Sequence, residues 1–322
     1  MKSLAFFSGL GGVGKTTLTF NLAHLFARMG LRTVVLDYDP QCNISSLFLR
    51  EQELLELWDR GLTITSCLEP LLSGVGSIRT PELRSISDDL WLLPGHLDLA
   101  RFEQVFSEQW ARIEGAYSER AVEAVTSLSL LAEQAAESVH ADLVLIDAGS
   151  NLGSLNRSAL LASDGIAFLL FPELFGLQSL RSVGPVIHKW RRYWYDLPFR
   201  DHRPSHDFLP LGYVVRERHD THWPLMVYTS WREKIPLVFH RFVLDEDNFP
   251  EELQEPDPYH LETILFSSSL FSLARIARKP VFDLKIADGI GSGQLPIVAK
   301  SQKELEGLIR SIFQRLGMQV LP

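Results

Sequence analysis

Apolar residues in this chain fall into short continuous runs separated by longer stretches where they recur every three to four positions. The runs "SLAFFS" (3–8), "RTVVLDYD" (32–39), "LWLLPG" (90–95), "ADLVLIDAG" (141–149), "GIAFLLFPE" (165–173) and "LPLGYVVRE" (209–217) predict strands. They lack the strict alternation of a half-solvated sheet, so such strands are buried on both faces. Helical spacing fills the gaps: about 15–29, closed by Gly30; most of 44–72, with "LREQELLELW"; and 99–138, rich in Ala, Glu and Leu. The stretch "LEGLIRSIFQRLGM" places Leu305, Leu308, Ile309, Ile312, Phe313 and Leu316 on one stripe, which predicts a helix packed on the core. Alternation of strands and helices predicts an α/β fold with a doubly wound, mostly parallel sheet flanked by helices. We expect one domain over 1–322, interrupted by surface excursions near 189–208 (aromatic, Arg- and Pro-rich) and 245–260 (acidic, Pro-rich).

Composition narrows the class. The 322 residues are 46% hydrophobic and 22% charged, enough for one large core or two small ones. Net charge is −9, so nucleic-acid binding would need a local basic patch. The two cysteines, Cys42 and Cys67, sit in unrelated contexts with neither zinc nor disulfide spacing, which suits a reducing compartment. No signal-peptide pattern opens the sequence, and no run approaches the roughly 20 apolar residues of a membrane span. A soluble, cytoplasmic protein is expected.

The strongest chemical signal is "SGLGGVGKTT" (8–17), which satisfies G-x-x-x-x-G-K-[ST] between an apolar run and a helical stretch. Gly11, Gly12, Val13 and Gly14 allow backbone N–H groups to turn around phosphates. Lys15 reaches the β- and γ-phosphates, Thr16 offers a hydroxyl to Mg²⁺, and Thr17 completes the candidate nucleotide-binding set of the loop. Carboxylates at the ends of neighbouring strands complete such a site: Asp37 and Asp39 after the second strand, Asp147 after the "LVLI" strand. Asp147 and Asp37 are the candidate metal-supporting groups, and Asp39 is placed to orient or deprotonate the attacking water. Each alone has a helix-capping aspartate as its plainer alternative, which the neighbouring loop weakens.

These motifs resemble the ParA/MinD family of P-loop ATPases, on the ParA side. The family's K-G-G-V-G-K-T-T appears as "LGGVGKTT", its D-x-D-P-Q-x-N as Asp37-Tyr38-Asp39-Pro40-Gln41-Cys42-Asn43, and its Walker B segment as "LVLIDAGSNLG". "LWLLPGHLDLARFE", "FPELFGLQSL" and "TILFSSSLFSLARIARKPVFDL" follow in family order. The resemblance implies ATP and Mg²⁺ as ligands, slow ATP hydrolysis stimulated by a protein partner, and a homodimer formed on ATP binding. It also implies work in DNA segregation or cargo positioning, with non-specific DNA as a candidate surface. On the same grounds, Lys15 and Asp39 are catalytic, Asp147 supports the metal, and Arg216 in "GYVVRE" lies against adenine.

Leu10 stands where the family has a lysine that reaches the partner's phosphates in a closed dimer. Leucine cannot donate to phosphate, and a clamp of that kind is worth roughly 10³-fold in rate. Either hydrolysis is very slow, or dimerisation is independent of ATP, or another cation replaces the lysine. Arg157, in "GSNLGSLNRSALL", is the candidate replacement, against the plainer reading of an exposed helix residue. An alternative function is a nucleotide-gated regulatory or defence-associated module that binds a protein partner without DNA transport. Three further features are weighed: the basic-aromatic stretch 189–203 is a DNA surface or an inward-packed helix end; His219 and His222 read as a solvated loop rather than a metal site; and the mixed-charge polar face of the last helix favours packing over membrane contact.

Overall fold

The apolar run after Met1 forms β1 (Lys2–Phe7), and every residue from Ser3 onward is buried. The computed structural model describes residues 1–115, 118–196, 208–218, 225–246 and 256–318. The chain divides into two compact units, one of residues 1–6, 23–166 and 196–209, the other of residues 7–22, 167–195 and 210–322.

The first unit holds β1, β2 (Thr33–Tyr38), β3 (Arg84–Ser87), β4 (Leu90–Leu93) and β5 (Leu143–Ala148), ordered β3-β4-β2-β5-β1. Neighbours are parallel except β3 and β4. All six residues of β2 and of β5 are buried, as continuous apolar strands under helical cover require. Their register sets Asp37 beside Asp147 at the carboxyl ends of the two strands. The antiparallel edge strand β3 was not expected, because its "RSIS" is polar and mostly exposed and carries no apolar run.

The helical stretches are more broken than their spacing suggested. Residues 44–72 form α2 (Asn43–Phe48), α3 (Glu51–Asp59) and α4 (Ile64–Leu72) after the first helix, α1 (Lys15–Arg28). Extended backbone at Leu49 and Arg50 ends α2, and Thr63 starts α4 by accepting from the Ser66 amide. Within 99–138 a 3-10 turn over Leu97–Arg101 precedes α5 (Phe102–Gly115), and Ser118 caps a new helix, α6 (Glu119–Val139). The short α7 (Ser154–Leu161) follows β5.

The second unit holds β6 (Gly165–Leu170), β7 (Leu209–Arg218) and β8 (His260–Phe266), ordered β6-β7-β8, with β7 and β8 parallel. Its core includes a chain of edge-packed rings, Phe7 on Phe168 and Phe168 on Phe239, with centroids 6.4 and 5.6 Å apart. The helices are α8 (Leu174–Asp196), α9 (Leu225–Phe242), α10 (Ser268–Ala277) and α11 (Leu295–Leu316). Residues 189–196 continue α8, with Trp194 buried, where an excursion had been expected; residues 197–207, 219–224 (with His219 and His222) and 247–255 lie outside the described residues. In α11 the stripe Leu305, Leu308, Ile309, Ile312, Phe313 and Leu316 is buried as expected. Among the described residues no helix is long and apolar enough to cross a membrane.

Candidate functional site

The loop between β1 and α1 belongs to the second unit. Its conformation depends on glycine where backbone angles demand it: Gly12 has φ 74° and Gly14 φ 96°. Gly9 is required for a different reason, since a Cβ there would lie 2.5 Å from Ser179 Oγ and 2.7 Å from Val183 Cγ2 on α8. At Gly11 nothing lies within 4 Å of that position and φ is ordinary, so the fold itself does not demand glycine there. Open space over a glycine that the protein does not need is what a phosphate cradle requires, so the loop fits a bound phosphate.

The rest of the loop is fastened. The Leu10 amide donates to Ser8 Oγ at 3.2 Å, and the Leu18 amide donates to Gly14 O at 2.8 Å. Val13 is buried and Lys15 is 7% exposed, while Gly11 and Gly12 face solvent. Lys15, Thr16 and Thr17 form the first turn of α1, whose amides carry the positive end of the helix dipole. Asn21 ties that turn to a distant segment: its amide donates to Thr17 O and its Oδ1 accepts from the Val281 amide, both at 2.7 Å. Arg216 on β7 donates from Nη1 to Gly12 O at 2.9 Å, and its guanidinium stands 4.9 Å from the Phe171 ring centroid.

The acidic residues belong to the first unit. Asp37 is fully buried and accepts from the Ser45 amide at 3.0 Å and from Ser45 Oγ at 2.5 Å. Ser45 Oγ in turn accepts from the Gly95 amide at 3.0 Å. Gly95 is dictated by this contact, because a Cβ would sit 2.8 Å from Asp37 Cγ. Burial raises the Asp37 pKa to about 7, opposed by the hydrogen bonds from Ser45 and from the Asp39 amide. Asp39 is half-exposed; its carboxylate accepts from the Gln41 amide at 2.9 Å and shapes the turn into α2. Cys42, at left-handed φ 53° in that turn, is buried, and desolvation raises its thiol pKa, so it is no nucleophile.

Asp147 is buried at the end of β5, beside Asp37 in the ladder. A desolvated carboxylate next to a second one suits a divalent cation. Among the described residues no cluster of three or more His, Cys, Asp or Glu is placed to hold a metal. A cation here therefore needs further oxygen ligands, such as phosphate and a hydroxyl.

Arg157 is neither an exposed helix residue nor a free cation. It lies in α7 with its side chain 9% exposed, pairs with Glu114 at 2.9 Å and stacks 3.6 Å over the Trp110 ring of α5. Glu103, also on α5, accepts from the Ser154 and Leu155 amides at 2.5 and 3.2 Å and so caps α7. Sequence reasoning did not single out Ser45, Gly95, Glu103 or Asn21. Their partners lie 8 to 260 positions away, and no local pattern marks them.

A family model described as an AAA domain matches residues 1–195. The probable plasmid-partitioning protein ParA of Thermus thermophilus is 30% identical over 187 residues, covering 58% of this chain and 50% of that protein. The chain spans about half to three fifths of the length of the curated relatives it matches. Among solved structures, protein DIP2308 of Corynebacterium diphtheriae matches with a TM-score of 0.72 at 19% identity, over 98% of this chain and 99% of that one. A Cyanothece McdA variant in complex with ATP matches with a TM-score of 0.65 at 15% identity, over 100% and 98%. At these identities the two structures share the fold.

Proposed function

We propose a nucleotide-driven role for this chain, which belongs to the AAA domain family and is a ParA-like P-loop ATPase: it binds Mg-ATP and hydrolyses it slowly, forming a nucleotide-dependent dimer that segregates DNA or positions cargo. The observation that carries this reading is the loop Gly9–Thr17, open above Gly11 and Gly12, with Lys15 at the head of α1. Resemblance supports the same reading, since a solved neighbour of this fold is an ATP complex.

In this proposal the amides of Gly11 to Thr17 bind the phosphates, and Lys15 carries the charge that neutralises the terminal ones. Thr16 supplies a hydroxyl to Mg²⁺, and Asp37 and Asp147 are the carboxylates assigned to support it. The metal, when bound, draws charge from the phosphate oxygens. Asp39 orients the attacking water and accepts its proton, a task suited to a half-exposed carboxylate in a fixed turn. Arg157 would have to leave Glu114 and Trp110 to serve as a second cation on phosphate.

A second reading is favoured by Leu10: without a cation at that position the chain acts as a nucleotide-gated module for a protein partner, with no DNA transport. ATP-dependent, salt-sensitive retention on DNA supports the first reading, and its absence alongside tight ATP binding supports the second.

Calorimetry with Mg-ATP tests the common core. Lys15→Ala should weaken binding by about 10- to 100-fold, the worth of a hydrogen bond to a charged group. A well-folded parent that takes up no adenine nucleotide overturns the assignment.

A further inference from the structure

We infer that Arg216 is a positioning residue that holds the phosphate loop in its binding shape before any nucleotide arrives; this rests on the nucleotide-binding reading above. The residue lies in β7, opposite Ile264 of β8, 204 positions from the glycine it contacts. Its Nη1 donates to Gly12 O at 2.9 Å.

The physical leverage is in the peptide between Gly12 and Val13. A glycine at φ 74° has little steric restraint, so that peptide can flip at small cost. In a planar trans peptide the carbonyl oxygen and the following N–H point in opposite directions. Fixing Gly12 O on Arg216 therefore fixes the Val13 N–H on the other side of the peptide, one of the amides a phosphate needs. A Cβ added at Gly12 would meet nothing within 4 Å, so the protein leaves the loop surface on that side open.

The guanidinium is itself held. It stands over Phe171, which is 5% exposed and follows directly on β6, so the cation is anchored in β7 and the ring is buried beside the end of β6. Arg216 also keeps a permanent cation on the loop although position 10 is leucine. An adenine contact, the role implied by family resemblance, makes a different prediction: it acts on the base and leaves the loop alone.

Two measurements on Arg216→Ala and Arg216→Lys separate these. The first is amide hydrogen exchange at residues 10–14 in nucleotide-free protein. The second is calorimetry with Mg-ATP and with inorganic tripolyphosphate, which has no base. As a loop clamp, Arg216→Ala should speed exchange at Val13 by about tenfold and weaken both ligands by about the same factor, the worth of one hydrogen bond. Arg216→Lys should recover part of each. Unchanged exchange at Val13 overturns the inference, as does a loss confined to ATP with tripolyphosphate unaffected. Should the parent bind neither ligand, the nucleotide reading falls, and exchange in the unliganded loop still decides whether Arg216 clamps it.

Discussion

Asp37 offers a direct test of how the second strand presents its carboxylates. The side chain is fully buried, with Ser45 as its hydrogen-bonding neighbour, and burial lifts its pKa from 3.8 to about 7. In the unfolded chain it titrates near the lower value, so between about 4 and about 7 the native state holds a proton that the unfolded state has released. Stability contributed by the protonated form is fully present below the unfolded pKa and is lost as pH rises through the folded one. The shift of about three units, at about 1.4 kcal/mol each, corresponds to about 4 kcal/mol across the window. Asp37→Asn keeps the shape and an acceptor for Ser45 but has no proton to lose. Urea unfolding of both proteins in chelator, from about pH 5 to about pH 8, isolates the residue as a difference, because all other titrations cancel. The parent should lose stability relative to the variant as pH rises to about 7, with a slope approaching 1.4 kcal/mol per unit, and then run parallel to it. Parallel curves throughout would refute the claim that burial raises the Asp37 pKa.

Three further outcomes follow from contacts within one unit or the other. Gly9→Ala should destabilise the protein by about 1–3 kcal/mol in thermal unfolding, because its methyl group meets Ser179 and Val183. Gly11→Ala should leave unfolding within about 0.5 kcal/mol of the parent yet weaken Mg-ATP in calorimetry; equal behaviour of the two variants would contradict the open cradle. Glu103→Ala should cost about 1–2 kcal/mol in urea unfolding through loss of the α7 cap, with Glu103→Gln recovering part; no change would show that the carboxylate is not capping Ser154 and Leu155.

Much of the fold was legible because parallel strands under helical cover are written as continuous apolar runs: all six expected strands exist, and β2 and β5 are buried at every position. What escaped notice carries a weaker pattern. The edge strand β3 is "RSIS", and β8 is "HLETILF", whose polar positions interrupt the run. The phosphate loop was legible because glycine spacing and Lys15-Thr16 are local. Its supports were not, because Ser45 beneath Asp37, Glu103 at α7 and Asn21 on Val281 are long-range pairings of residue types common on any surface.

The two kinds of information differ in where they reside along the chain. The family model covers residues 1–195, which contain every residue of the loop motif and all three acidic candidates. Yet the loop's geometry also depends on Arg216 and on the Val281 amide, both beyond that span. A glycine-rich loop is chosen for freedom of its backbone, and that same freedom leaves it unable to hold one shape by itself. Rigidity has to come from groups that reach in from elsewhere: α8 against Gly9, β7 through Arg216 on Gly12, and the segment after α10 through Asn21 on the first turn of α1. The motif therefore specifies what the loop can bind, while these distant contacts determine how much of the binding geometry exists before a ligand is present.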